Sequence, residues 1–264
     1  PDDPLLRKFK DDRTYAHAKI SPDGRYVAYM TNEIGQYKMY LYDQVRKKRK
    51  RMIKGGYRLD EKNDLSYPLI AWHPSGKILA YLVERRGEIF LYFYNLDVKK
   101  KNKIILYNFE KVLDISYSPD GKNILMSAVQ KGQSDLYVYY ISSGSHEQLT
   151  NDPFDDIQPR FIENGSRIVF CSNRLSDTLK WAPEDPTIGL PQNYDVWVYD
   201  YVERDPVLRR VTNTPLASEK QPMPYGEGYI SFLSDENGIY NRYLSSFDSV
   251  IAYIDTVTHY RYFS

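Results

Sequence analysis

Short apolar runs recur along the whole chain, each introduced by a polar turn. RYVAYM follows Ser21-Pro22-Asp23-Gly24, KILAYLV follows His73-Pro74-Ser75-Gly76, and KNILMSAV follows Ser118-Pro119-Asp120-Gly121. Looser copies place Glu163-Asn164-Gly165 before SRIVFCS and Gly226-Glu227-Gly228 before YISFLS. The turn glycines at 24, 76, 121, 165 and 228 are spaced by 52, 45, 44 and 63 residues. Proline presets the first corner, Asp or Asn bonds its own backbone, and glycine takes the positive φ at the exit. Such a turn ahead of a β-branched and aromatic run predicts a hairpin.

Each unit carries a second run: KMYLYD (38–43), IFLYFYNL (89–96), DLYVYYI (135–141) and DVWVYDY (195–201). These are apolar on both faces, as strands packed between two neighbouring sheets need. A more polar run closes the unit: RKRMI, NKIIL, HEQLT and LRRVT. Four strands at this period predict an all-β chain, a β-propeller of four-stranded antiparallel blades with strands a to d. Five repeat starts are visible, with approximate blades 15–66, 67–112, 113–156, 157–218 and 219–264 in a single propeller domain or fragment. Pro68, Pro159 and Pro222 fall early in strand a, an innermost edge strand that tolerates a missing N–H. The fifth unit is irregular: IYNRYLSSF (239–247) reads as its third strand, and 250–264 is too long for one simple last strand. That irregularity, and a start at Pro1 without Met, suggest a piece of a longer chain.

Composition fits this reading. There are 26 Tyr, with 10 Phe and 3 Trp, and aromatic rings favour pleated surfaces. A net charge of +1 gives no global field for nucleic acid, and no recognition helix or base-stacking module is visible. A single cysteine, Cys171, excludes an intrachain disulfide; its apolar strand marks it as a buried structural thiol. No apolar run approaches the roughly 18 residues of a spanning helix, and no signal peptide is present. His17, His73, His146 and His259 stand apart without metal spacing. No GxSxG elbow, phosphate-binding glycine loop or calcium loop occurs. Asp135 and Asp195 begin strand c in two blades; they would bind a cation in the channel or bond to neighbouring backbone N–H groups. The expectation is a non-enzymatic chain with no catalytic residue, no metal and no cofactor.

The repeat resembles the TolB-like, PD40 class of propeller repeats. Ser118-Pro119-Asp120-Gly121, Asp135-Leu136-Tyr137-Val138-Tyr139, Leu149-Thr150-Asn151-Asp152 through Gln158-Pro159, and Phe170, Ser172, Asn173 and Arg174 of an F-x-S-N-R segment carry the resemblance. It implies a propeller, commonly of six blades, in a bacterial envelope protein, and a periplasmic or envelope-associated location. The absent chemistry, with two loop expansions on one face, points to a protein-interaction scaffold that binds a protein or peptide, with no nucleic acid and no membrane span. Similar propellers serve as substrate-gating domains of S9 prolyl-oligopeptidase-type peptidases, which is the alternative.

Loops that break a repeat are where a rigid scaffold carries function. Loops b–c and d–a fall on one face, here the top; loops a–b and c–d fall on the other. The largest insertion, from about Arg174 to Tyr194, lies between strands b and c of blade four and contains Lys180, Trp181, Glu184 and Asp185. It reads as a partner-binding loop, since Trp is a favoured interface anchor, or as a loop folded back on its own blade. Residues 55–66, with Tyr57 and Arg58, lengthen the first d–a loop on the same face. On the other face, Arg46, Lys47, Lys48, Arg49, Lys50 and Arg51 lie at one c–d turn, and Lys99, Lys100, Lys101 and Lys103 at the next. Adjacent blades would join them into one patch, which either attracts an acidic partner, lipid headgroup or phosphate or protects outer strand edges.

Overall fold

A computed structural model describes residues 13–33, 36–55, 64–180 and 192–246. Blade one comprises β1 (Thr14–Ile20), β2 (Tyr26–Glu33), β3 (Gln36–Asp43) and β4 (Lys48–Lys54). Blade two comprises β5 (Leu69–Trp72), β6 (Ile78–Arg85), β7 (Glu88–Asn95) and β8 (Lys101–Leu106). Blade three is β9 (Lys111–Tyr117), β10 (Asn123–Gln130), β11 (Gln133–Tyr140) and β12 (Ser145–Gln148). Blade four is β13 (Asp156–Ile162), β14 (Arg167–Ser172), β15 (Asp195–Asp200) and β16 (Arg209–Arg210). Blade five shows β17 (Glu219–Tyr225), β18 (Tyr229–Ser234) and β19 (Asn241–Ser246). Every sheet is a meander of consecutive antiparallel strands, and the only helical element among the described residues is a 3-10 turn at Glu163–Gly165. The expected third strand of the fifth unit is β19; the tail at 250–264 lies outside the described residues.

Burial explains the run chemistry. The middle strands β6, β7, β10 and β11 are buried on both faces, whereas β4 and β8 expose their basic halves. The apolar clusters sit between blades rather than within one sheet. Leu41, Met39 and Ala28 of blade one meet Leu79, Tyr81 and Tyr92 of blade two, and blade two then meets blade three. Leu125 and Val138 meet Phe170 and Trp197, and Cys171 and Val198 meet Ile230 and Phe232. The first strands β1, β5, β9, β13 and β17 touch in succession, so they form the wall of a central channel. The far face of blade five leaves Met223, Tyr225, Tyr229 and Leu244 exposed.

The repeated turns are built alike. In blade one the Ser21 hydroxyl donates to Asp23 at 2.5 Å and accepts from the Tyr26 N–H at 2.8 Å. Ser118 and Asp120 repeat this at 2.6 Å. In blade two, His73 and Ser75 take the two roles, with Nδ1 and Oγ 2.8 Å apart. Successive turns nest. A Cβ placed on Gly76 would lie 3.4 Å from Asp23, one on Gly121 only 2.1 Å from the His73 ring, and one on Gly165 3.3 Å from Pro119. All three glycines have positive φ, so each supplies both the turn and the space for its neighbour's side chain.

Four channel strands are bulged. Register shifts fall between Val112 and Asp114 of β9, and between Ala16 and Lys19, Ile157 and Arg160, and Lys220 and Met223. In β1, β13 and β17, His17, Gln158 and Gln221 at the bulge adopt left-handed φ of 53°, 56° and 51°. Pro159 and Pro222 follow directly, so what accommodates them is a break in the ladder as well as an edge position. Pro68 precedes β5 and follows Tyr67 through a cis bond.

Candidate functional site

The top face begins at the loop after β14. Arg174 is not displayed there: its side chain is fully buried. Its Nη2 lies 2.9 Å from Asp156 and 3.2 Å from Asp152, its Nε donates to Ser172 at 3.1 Å, and the Phe154 and Phe170 rings flank the guanidinium. Asn173 accepts the Asp155 N–H at 2.8 Å. The S-N-R segment therefore clamps the d–a loop of blade three to blade four, which explains why it accompanies Leu149–Asp152 in the repeat. As a candidate contact for a partner, Arg174 is corrected to a framework residue, because ordered pairing with two buried carboxylates leaves it nothing to offer solvent.

Asp135 completes this buried cluster. It accepts from Gln148 at 3.0 Å and from the Thr150 hydroxyl at 3.3 Å. Asp195 accepts in the same way from Thr212 at 3.1 Å, and from the Thr214 N–H at 3.2 Å. The repeated aspartates thus latch strand c mainly to threonine hydroxyls that close strand d, with one backbone N–H among the donors. Burial, together with the Asp156 and Asp152 charges, pushes the Asp135 carboxyl up to about 7. Burial also raises Asp152, against the opposing pull of Arg174.

The rest of the insertion hugs its own blade at its start. The Leu179 N–H donates to the Pro206 carbonyl at 2.8 Å, and Thr178 bridges Val207. Lys180 is exposed at the end of this stretch. Tyr194, at the other end, is half-buried and its hydroxyl donates to Asp155 at 3.4 Å. Trp181, Glu184 and Asp185, with Tyr57 and Arg58 of the first d–a loop, lie outside the described residues.

The channel wall holds a charge group that the repeat pattern does not announce. Arg160 of β13 pairs with Asp114 of β9 at 2.6 Å. The Lys19 amine of β1 lies within their field, and burial first, then Arg160, holds it below the usual lysine value. Arg160 and Lys19 lie 46 and 95 positions from Asp114 and belong to different blades, so only the fold brings the three together. Cys171 is fully buried, and burial raises its thiol well above the ordinary value.

The basic turns of blades one and two do meet. Asp43 accepts the Val45 and Arg46 N–H groups at 3.0 and 2.9 Å, and Asn95 accepts those of Asp97 and Val98 at 3.0 and 3.2 Å. These turns hold Lys47 and Lys99 in left-handed φ. Arg46, Lys48, Arg49, Lys50 and Lys99 surround one cleft of about 200 Å³. Arg51, Lys100, Lys101 and Lys103 are exposed beside it on β4, on the second turn and on β8. The rings beneath them, Phe90, Tyr92 and Tyr94, are absent from the sequence-level candidates, although they alternate along β7 in register with Lys101 and Lys103.

Residues 63–178 match the family model of the TolB beta propeller domain, PD40. The Tol-Pal system protein TolB of Wolinella succinogenes is 37% identical over 86 residues, covering 32% of this chain and 20% of that protein. The crystal structure of TolB from Acinetobacter baumannii superposes with a TM-score of 0.57 at 17% identity, over 88% of this chain and 54% of that one. Prolyl oligopeptidase B from Galerina marginata superposes with a TM-score of 0.59 at 16% identity, over 89% of this chain and 34% of that one. The chain thus spans about half of these proteins or less. By its repeats and its blades the chain is an all-β propeller, and over residues 63–178 it is similar to the TolB-like propellers of the PD40 type.

Proposed function

We propose that this propeller is a non-catalytic scaffold of a bacterial cell envelope, located in the periplasm, that binds a protein or peptide on its top face. The observation that carries the reading is how its polar groups are used. Asp135, Asp152, Asp156 and Arg174 are committed to joining two blades, and the thiol of Cys171 is sealed in an interface. What is left for recognition is surface, and the top-face loops are its most elaborated part. The likeness to Tol-Pal system TolB supports the envelope setting.

Replacing residues 181–191 by a short Gly-Ser linker tests the placement. Expected are an unchanged thermal transition and loss of partner recovery from an envelope extract. Unchanged recovery would sink the top-face assignment, and intrinsic hydrolysis of acyl-peptide substrates by the purified chain would sink the non-catalytic one.

A second reading is favoured by the superposition on prolyl oligopeptidase B: a propeller that gates access to a peptidase. It requires an α/β-hydrolase domain with its own Ser, Asp and His in the same protein, and the flanking gene sequence decides it.

A further inference from the structure

The seam between blades one and two is built as a row of cations over a row of rings. Lys50 pairs with Leu41 in the register of β3 and β4, so it faces blade two. Its amine reaches the Tyr94 hydroxyl at 2.7 Å and sits 4.5 Å from that ring's centre. From the opposite side, Lys101 lies 4.9 Å from the Tyr92 ring and Lys103 4.7 Å from the Phe90 ring. Phe90, Tyr92 and Tyr94 all face blade one, so lysines from two blades converge on one line. Ring contact holds each ammonium without neutralising it.

No carboxylate among the described residues pairs with these three lysines, or with Lys48 and Lys99 beside them. The one acid in the cleft wall, Asp43, is already held by Arg25 at 3.3 Å and by two backbone N–H groups. The cleft floor of Tyr26, Leu41 and Leu96 is apolar and has room for about one side chain. Among the described residues β4 and β8 end their sheets, so each offers a strand edge that no described strand pairs.

We propose that this seam binds an extended acidic segment of a partner polypeptide, independently of the top face. Lys101 and Lys103 stand two residues apart on one strand face, roughly 7 Å along the chain, which matches acidic residues at alternate positions of an extended peptide. The apolar floor beside Lys50 and Lys99 takes one hydrophobic side chain further along the same segment, and a strand edge supplies main-chain hydrogen bonds. A compact phosphate group would instead need donors aimed at a single point, and here each amine rests on its own ring.

The test is fluorescence anisotropy of the purified chain with a short labelled peptide carrying Glu at alternate positions and one central Leu. Lys50→Gln/Lys101→Gln/Lys103→Gln is compared with a control, Lys122→Gln/Lys131→Gln, and circular dichroism checks that both variants fold. The seam variant is expected to bind about ten-fold more weakly, the sum of several exposed charge pairs, and the control to bind as the parent does. A Gln-for-Glu peptide is expected not to bind. Equal weakening by the control variant, or equal binding by parent and seam variant, overturns the proposal. So does binding to phosphatidylglycerol vesicles or inorganic phosphate without binding to the peptide.

Discussion

Replacing Gly121 by alanine puts a methyl group where the His73 ring already lies. Gly24 and Gly121 have nearly the same backbone, with φ of 71° and 72°. A left-handed alanine therefore costs each of them about 1–2 kcal/mol. Beyond that they differ. A Cβ on Gly24 meets nothing within 4 Å, whereas one on Gly121 lies 2.1 Å from His73 Nε2 and 2.6 Å from Cε1. The ring must leave, and with it go its contact with Ser75 at 2.8 Å and its edge packing on Tyr117 at 5.1 Å. Displacing a packed side chain and one hydrogen bond adds about 1–3 kcal/mol. Gly24→Ala should thus destabilise by about 1–2 kcal/mol and Gly121→Ala by about 2–5 kcal/mol. Urea unfolding followed by tryptophan fluorescence measures both, read as a change in midpoint at constant slope. In a His73→Ala background the extra loss at Gly121 should vanish, leaving only the backbone cost. Equal losses at the two glycines, or an undiminished loss in the His73→Ala background, would refute the nesting of the turns.

Three further outcomes follow from the interior. Arg174→Met leaves Asp152 and Asp156 buried without their partner and should cost about 3–5 kcal/mol in denaturant unfolding, with a smaller loss at pH 5 than at pH 8 because burial raises the Asp152 carboxyl, which is then protonated. The Asp135 carboxyl, raised to about 7 from an ordinary 3.8, contributes stability that is complete below about pH 4 and is lost as pH rises through 7; thermal melts of Asp135→Asn should show a flatter pH dependence over that window. The buried Tyr67 hydroxyl accepts the Val112 N–H at 2.9 Å, so Tyr67→Phe strands a buried donor and should cost about 1–3 kcal/mol by urea midpoint.

The elements legible in the sequence are those whose causes are local. Ser118-Pro119-Asp120-Gly121 encodes its own turn, and the two-sided apolar run at β11 shows that both its faces are covered. Arg174 is different. Its place at the mouth of an insertion suggests display, yet its partners are Asp152 of the loop that enters the same blade and Asp156 at the start of β13, and no local pattern ties them. The channel group of Lys19, Asp114 and Arg160 is harder still, since its members come from three blades. The lysine and ring rows of the first seam fall between these cases: the alternation within β7 and β8 is local, but the approach of Lys50 from the neighbouring blade is not.

The bulges in the channel strands carry a consequence for how such a channel ages. Where two residues face one across a ladder, a peptide group is left free of its strand partner. At Gln221 that group donates instead to the Gln158 side chain of the preceding blade at 2.7 Å. His17 occupies the corresponding place in blade one, and its ring lies 3.3 Å from the Leu65 carbonyl. The polarity of this wall is therefore written partly in the main chain, at the same height in three blades. Mutation can exchange the side chains around it, but it cannot delete a peptide bond, so the lumen keeps hydrogen-bonding groups through sequence drift that would erase a conventional site.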